Sequence, residues 1–450
     1  MLFLKDGIIY LQIYEYYKKE IIKGTYVAHS KLPSKRRLSN EYQISLTSVE
    51  NAYAKLLEEG FIYAKERKGY FVSDVGELYV LENKQHTFQK ETSDIRYDFS
   101  YTGVSDEGFP HKIFRKFSNL ILEDNDLLEQ VDYQGYFPLR MQIADYLNRS
   151  RGFQTSPSRI IISSGSEYLF QIIFKLVEGT YAIEDPGYHM LRNIMDANEI
   201  RYECIPLDEF GMSIDALQNS SANICALTPA HQFPTGIIMN MKRRSEILNC
   251  SQIDFVIEDD YDSEFKYSNR PVPALKSIDY PDKVIYMGSF SKSISPSMRV
   301  SYMVLPESLL EKYHQLFHCF VCPVSIIIQK ILTKFLESGE FEKHLNRMRK
   351  IYSKKRQLIV DLLKDCPDIK VTGADAGLHV VLQYPKYFTE KDIVAEARKQ
   401  KIAVYGLESY GKKQEYPSIL LGFATLTNEE ITEGISLLKA ISYHSTVPSP

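Results

Sequence analysis

The chain has 450 residues, 44% of them hydrophobic and 25% charged, with a formal net charge of −4, as expected of a soluble globular protein of several domains. No run approaches the roughly 18 uninterrupted apolar residues of a membrane helix. The start MLFLKDGIIYLQIYEYY carries Lys5, Asp6 and Glu15 and lacks the order of a signal peptide, so a cytoplasmic location without membrane partners is expected. The six cysteines are scattered, which excludes a disulfide framework; Cys319 and Cys322 lack a second pair at zinc spacing, and no metal is expected.

The charge is unevenly shared. Residues 1–73 hold twelve Lys/Arg against eight Asp/Glu, a net of +4, which leaves −8 for the remainder. A basic end on an acidic body points to a polyanionic partner for the first part only. The periodicity predicts a helix from Ile8 to Lys23, ended by Gly24. Ser34 caps a second helix over Lys35 to Tyr42, and Ser45 caps a third from Leu46 to about Glu59, with Val49, Ala52, Tyr53, Leu56 and Leu57 as its buried stripe. FIYAKERKGYFVS then reads as two strands around a charged turn containing Gly69. This is the plan of a winged helix-turn-helix over residues 1–73.

Lys35, Arg36 and Arg37 follow Ser34 in the first turn of the second helix, where backbone N–H groups and a hydroxyl suit duplex phosphates. Ser45, Thr47 and Ser48 open the third helix, at the place where such folds reach a major groove. Arg67, Lys68 and Gly69 lie in the wing. The text LPSKRRLSNEYQISLTSVENAYAKLLEEGFIYAKERKGYFV resembles the GntR family of winged-helix regulators, which implies double-stranded DNA as a partner. Leu46 departs from that family, which carries a basic residue there.

Residues 74–97 are polar and aperiodic and read as a linker. From residue 98 short apolar runs at 160–162, 181–183, 225–227, 255–257, 284–286 and 302–304 alternate with helical stretches, the pattern of an α/β fold with a largely parallel sheet covered by helices on both faces. A helical stretch over 324–364 and strands near 377–383, 401–405 and 418–423 predict a small C-terminal α+β subdomain.

Several polar constellations end these strands. Ser289, Phe290, Ser291 and Lys292 follow the run 284–287, and a lysine at a carboxyl end of a doubly wound sheet sits where ligands bind. A desolvated amine there can attack an aldehyde. The run 255–257 empties into Glu258, Asp259, Asp260, Tyr261 and Asp262, and Ser163 to Ser166 form a strand–turn–helix suited to phosphate, with Gly165 in the turn. Arg299 adds a bidentate cation, and Tyr188 follows Pro186-Gly187.

Together these pieces resemble the aspartate aminotransferase superfamily, the fold-type I enzymes that use pyridoxal 5'-phosphate, over residues 98–450. The resemblance implies Lys292 as the catalytic lysine bonded to the cofactor, Asp259 at the pyridine nitrogen, Tyr261 at the ring oxygen and Tyr188 stacked on the ring. It also implies Gly165, Ser166, Ser289, Ser291 and Arg299 around the phosphate. The family's asparagine turn reads Pro229-Ala230-His231-Gln232-Phe233-Pro234-Thr235-Gly236, so either His231 or Gln232 serves the ring oxygen or nothing does. Tyr133 begins a segment that in the family reaches a partner subunit, which implies a homodimer. The two halves in one chain resemble the MocR/GabR-type subfamily of GntR regulators. That implies a small amine or amino acid effector, or the cofactor itself, sensed through aldimine exchange at Lys292, with an active aminotransferase as the alternative. Met190 and Thr425 stand where GABA-responsive members carry arginines, so GABA is not the expected effector.

Overall fold

A computed structural model describes residues 8–74, 94–123, 127, 131–267, 273–412 and 414–444. The chain divides into two compact units, Met1–Thr92 and Ser93–Pro450. The stretch 75–93, most of the expected linker, lies outside the described residues.

In the first unit helices Ile9–Ile22, Lys35–Tyr42 and Leu46–Glu58 precede an antiparallel hairpin of Ile62–Lys65 and Gly69–Val72. Both expected caps form: Ser34 Oγ accepts the Arg37 amide N–H at 3.2 Å, and Ser45 Oγ accepts that of Ser48 at 3.1 Å. The core gathers Ile13, Tyr17, Ile21, Leu38, Val49, Ala52, Tyr53, Leu56, Ile62 and Val72. Leu57 is not in it, contrary to the expected stripe, and is exposed. At 100° per residue it lies one step beyond the face set by Val49, Ala52, Tyr53 and Leu56.

The second unit is built on an eight-stranded sheet in the spatial order 160–163, 301–304, 284–289, 255–260, 224–227, 181–185, 202–208, 211–212. The central pairings are parallel, and Ser301–Val304 runs antiparallel to both neighbours. Buried apolar side chains cover both faces of the sheet, as the near-continuous apolar runs require. A four-stranded antiparallel sheet of Lys370–Thr372, His379–Gln383, Ser418–Gly422 and Tyr405–Gly406 forms the small C-terminal layer.

Two expectations change in detail. The helical stretch over 324–364 is two helices, Ile326–Glu337 and Glu340–Leu363, broken where Gly339 takes a left-handed φ of 70°. The run 401–405 splits between two sheets: Ile402–Ala403 pairs with Tyr97–Asp98, and Tyr405–Gly406 pairs with the strand Ser418–Gly422. All six cysteines are free, and Cys322 is buried with its thiol 3.5 Å from the Ile162 carbonyl. Among the described residues no helix is long and apolar enough to cross a membrane.

Beneath the sheet's carboxyl edge lies a buried ion pair. Arg151 meets Asp260, whose Oδ2 also accepts the Tyr286 hydroxyl at 2.5 Å. Both charged side chains are almost wholly removed from water, so neither has solvent to fall back on. Replacing Arg151 with leucine should leave the Asp260 charge uncompensated and cost about 3–5 kcal/mol. The check is the urea unfolding midpoint of the second unit, followed by far-ultraviolet circular dichroism.

Candidate cofactor site and nucleic-acid interface

Side-chain alternation sorts the acids that follow residue 257. Glu258 and Asp260 point to one face of their strand and Asp259 to the other. Glu258 accepts the backbone N–H groups of Leu275 and Lys276 at 2.7 and 2.8 Å, and Asp260 is held by Arg151. Asp259 alone of the three lines a cavity of about 300 Å³ at the carboxyl ends of the strands.

Gly165, Ser166, Tyr188, Asp259, Tyr261, Ser289, Ser291, Lys292 and Arg299 all line that cavity, drawn from stretches more than a hundred residues apart. The parallel pairing of Val284–Ser289 with Phe255–Asp260 sets Met287 opposite Asp259, which brings the turn after Ser289, and so Lys292, to the same edge. Lys292 Nζ donates to the Tyr101 carbonyl. Burial pulls its pKa down to about 8, against the opposing field of Asp262. Burial pushes Asp259 up to about 7, reinforced by the fields of Asp260, Asp262, Glu184 and Glu167. Burial also raises the phenols of Tyr188 and Tyr261, which stay protonated.

The far end of the cavity gathers a helix start, serine hydroxyls and a guanidinium. The helix Ser166–Leu176 begins there, with Gly165 at φ 87°. That φ favours glycine, and the absence of a Cβ leaves room for Arg299 Nη2 and Glu167 Oε2, which lie 2.2 and 2.5 Å from where one would stand. Arg299 itself adopts a left-handed φ of 51° and donates to Glu167 at 2.6 Å. Ser301 Oγ donates to Ser289 Oγ at 3.0 Å, which also accepts the Ser291 N–H.

These residues fit pyridoxal phosphate. The cradle supplies N–H groups, hydroxyls and a guanidinium for the phosphate. A protonated ring nitrogen opposite Asp259 would supply the counter-charge that its raised pKa shows to be wanting. Lys292, with its lowered pKa, would offer the amine for the aldehyde.

Two expected residues fall elsewhere, and a third, Tyr133, belongs to a segment expected to reach a partner subunit. The Gln232 amide N–H groups donate to Glu184 and to the Pro186 and Phe233 carbonyls, while its oxygen accepts from the Thr235 backbone and hydroxyl. His231 is buried behind Tyr261, with Nδ1 3.0 Å from Asp262 Oδ2. Neither side chain lines the cavity; Phe233 does, preceding the cis bond to Pro234. Of the alternatives for the ring oxygen, the lining therefore favours the one in which neither His231 nor Gln232 serves it. Tyr133 shares a hydrogen bond with His314 at 2.7 Å and stacks on Tyr313, apart from the lining. Met190 and Thr425 are both exposed and outside the lining, and Arg192 is bound to Asp185 at 3.0 Å.

Sequence reasoning missed Tyr101, Thr102, Glu167, Thr228, Phe233, Pro296 and Ser301 as lining residues. Glu167 had a signal, being the first acid after the phosphate turn, but Tyr101 reaches Lys292 across 191 positions with no local pattern to mark it. His231, Asp262 and His379 bring one ligand-type atom each to within 4.8 Å of one another, the one such group among the described residues.

In the first unit Ser34, Arg36, Arg37, Ser45, Thr47, Arg67, Lys68 and Gly69 are exposed, while Lys35 and Ser48 are half-buried. Lys35 pairs with Glu50 at 3.4 Å, and Arg37 with Glu41 at 3.7 Å. Arg67 and Gly69 take positive φ values of 59° and 107°, which form the tight wing turn. Lys31, overlooked in the sequence, pairs with Phe71 and brings its side chain beside Gly69, adding a cation to the wing.

Residues 101–438 match the family described as aminotransferase class I and II, and residues 9–72 match the bacterial regulatory proteins of the gntR family. The chain is 37% identical over 445 residues to the HTH-type transcriptional regulator YdeL of Bacillus subtilis, with 96% of each chain covered. It is 25% identical over 468 residues to the probable rhizopine catabolism regulatory protein MocR of Rhizobium meliloti, covering 97% of this chain and 94% of that one. Among solved structures, kynurenine aminotransferase of Pyrococcus horikoshii gives a TM-score of 0.72 at 26% identity, covering 80% of this chain and 93% of its own. With a gntR-type winged helix ahead of an aminotransferase class I and II domain, the chain belongs to the MocR-type family of regulators.

Proposed function

We propose that this protein is a cytoplasmic, homodimeric transcription regulator that binds double-stranded DNA with residues 1–73 and senses a small amine or amino acid, or pyridoxal phosphate itself, at Lys292. The observation that carries the reading is the convergence of Lys292, Asp259 and the Gly165–Arg299 cradle on one cavity, in a chain whose first unit bears exposed cations on a winged helix. The relatives named as regulators support the DNA-binding half.

When bound, pyridoxal phosphate supplies an aldehyde and an electron-withdrawing ring. The chain's own part is to orient and to hold protons. Lys292 offers a neutral amine near pH 8, Asp259 takes a position for the ring nitrogen, and Tyr261 holds a phenolic proton at the cavity wall. Among the described residues the cations in the lining are Lys292 and Arg299, and Arg299 belongs to the anion cradle. A ligand carboxylate therefore has no unassigned cation within the described lining, in keeping with an effector other than GABA. Sensing requires that the ligand favour one arrangement of the protein over another.

A second reading, an aminotransferase with a DNA-binding appendage, draws support from the same convergence, because Lys292, Asp259, Tyr261 and Arg299 are the groups such chemistry needs. Steady production of keto acid from an amino acid panel would favour it over a sensor.

Borohydride added to the protein with pyridoxal phosphate should fix the cofactor covalently, and Lys292→Ala should abolish that fixation, read by mass spectrometry. Identical labelling of both proteins would refute the assignment of Lys292. The rate at which cofactor-free protein bonds pyridoxal phosphate should rise with pH through about 8, because a lysine whose pKa is lowered is neutral above that value. A midpoint in the ordinary lysine range, about 10.4, would show the amine to be solvated. On DNA, Arg36→Ala and Arg37→Ala should each weaken binding and reduce the slope of log affinity against log salt by about 0.9 for each phosphate left without its cation. A gel-shift salt series with an unchanged slope would remove this face from the interface.

A further inference from the structure

Behind the cavity wall stands a buried pair of titratable side chains. His231 and Asp262 are 1% and 2% exposed, and His231 Nδ1 lies 3.0 Å from Asp262 Oδ2 and 3.1 Å from the Tyr261 hydroxyl oxygen. Gly377 seals the pair at φ 72°: a Cβ there would stand 2.1 Å from the His231 ring and 2.4 Å from Asp262. His379 packs its ring 4.6 Å from that of His231 and is hydrogen-bonded through Nε2 to the Pro234 carbonyl at 3.1 Å.

The proton positions follow from donor and acceptor capacity. An ionised carboxylate only accepts, so the atom facing Asp262 must carry the proton, which places it on His231 Nδ1. That N–H then faces two acceptors, Asp262 Oδ2 and Tyr261 Oη. Tyr261 Oη receives, and its own proton is directed elsewhere. Tyr261 lines the cavity, so the O–H turns toward the ligand side. With the opposite tautomer, Tyr261 would donate backward into Nδ1, and the cavity would face an oxygen with no proton to give. His231 Nε2, the bare nitrogen, is buried and without a hydrogen-bond partner.

We infer that His231, fixed as its Nδ1–H tautomer by Asp262, is a positioning residue that forces Tyr261 to present its hydroxyl proton to the cofactor's ring oxygen. The inference rests on pyridoxal phosphate being the occupant of the cavity. It also gives a reason for the wall at Phe233: with no amide there, the phenol of Tyr261 is the donor at that edge, and its direction matters more. The groups that face His231 are Asp262 and Tyr261, from the segment after Phe255–Asp260, and His379, from the strand His379–Gln383. Lys292 acts electrostatically on both Asp262 and His379, and Asp259 and Glu184 act on Tyr261. Burial and the neighbouring His231 and Lys292 hold His379 well below the usual histidine range, so it remains neutral and does not compete for the Asp262 charge.

The test is a pH titration of the visible absorption of the full-length protein loaded with pyridoxal phosphate. A donor on the ring oxygen draws electron density from the neighbouring linkage nitrogen, so its loss makes that nitrogen more basic. Tyr261→Phe should raise the titration midpoint by about one pH unit, and His231→Phe, which leaves the phenol in place but undirected, should raise it by less. His231→Phe should add nothing in the Tyr261→Phe background, and His231→Asn, whose amide N–H stands near the place of Nδ1–H, should recover part of the shift. Should His231→Phe fail to fold, the smaller His231→Leu serves in the same cycle, with near-ultraviolet circular dichroism as the control. An unmoved midpoint in a folded His231 variant, or a shift that adds in full to that of Tyr261→Phe, overturns the inference. An unmoved midpoint in Tyr261→Phe overturns it as well. Absence of a borohydride-fixed cofactor in the wild-type protein overturns instead the reading of the cavity on which the inference rests.

Discussion

The parallel pairing of Phe255–Asp260 with Val284–Ser289 is the constraint on which the site depends. It sets Met287 opposite Asp259 and Gly288 opposite Asp260, so the loop that carries Lys292 leaves the sheet beside the acid it must work with. A slip of one residue would exchange Asp259 for a neighbour facing the opposite side of the sheet. Gly288 protects the register from the other flank, because a Cβ there would stand 2.5 Å from the Tyr302 ring on the antiparallel strand. The Arg151–Asp260 pair lies on the opposite face of the same strand, and a buried pair of this kind is strongly destabilised when one partner is removed.

Burial then shapes the chemistry. Inside the cavity Asp259 and Lys292 are both displaced toward their neutral forms, the acid upward and the amine downward. Each charge lacks the compensation that water would give it, and a ligand with a basic ring nitrogen and an aldehyde answers both needs at once. The anion end is arranged differently. There Arg299 donates to Glu167, in a conformation that a non-glycine residue adopts only when its surroundings require it. A carboxylate thus rests on the guanidinium that the phosphate would take.

Much of this is legible in the primary structure. Caps at Ser34 and Ser45, the wing turn at Gly69, the apolar strands and the polar turns after 163, 258 and 289 are local patterns, and local patterns reflect backbone preference and side-chain period. Leu57 escapes the expected stripe because a helical stripe is narrow and one step of 100° leaves it. The break at Gly339 is hidden in the periodicity because the flanking segments share the same period. His231 and Gln232 have the polarity and the chain position of a cavity residue, but the fold uses them differently. It turns Gln232 into a hydrogen-bond hub for Glu184, Pro186 and Thr235, leaving Phe233 at the wall.

The amino-acid order alone determined the winged helix ahead of an α/β body, the polar turns that follow its apolar strands, and the basic face of the first unit. These follow from periodicity, capping chemistry and charge, each readable within a few turns of chain. Only the tertiary structure decided which of Glu258, Asp259 and Asp260 faces the cavity, that Tyr101 and Phe233 wall it, that Lys31 joins the wing, and that His231 and Asp262 stand behind Tyr261. Those facts depend on contacts between segments remote in sequence, and neither residue type nor local spacing encodes which side of a strand a distant neighbour will cover.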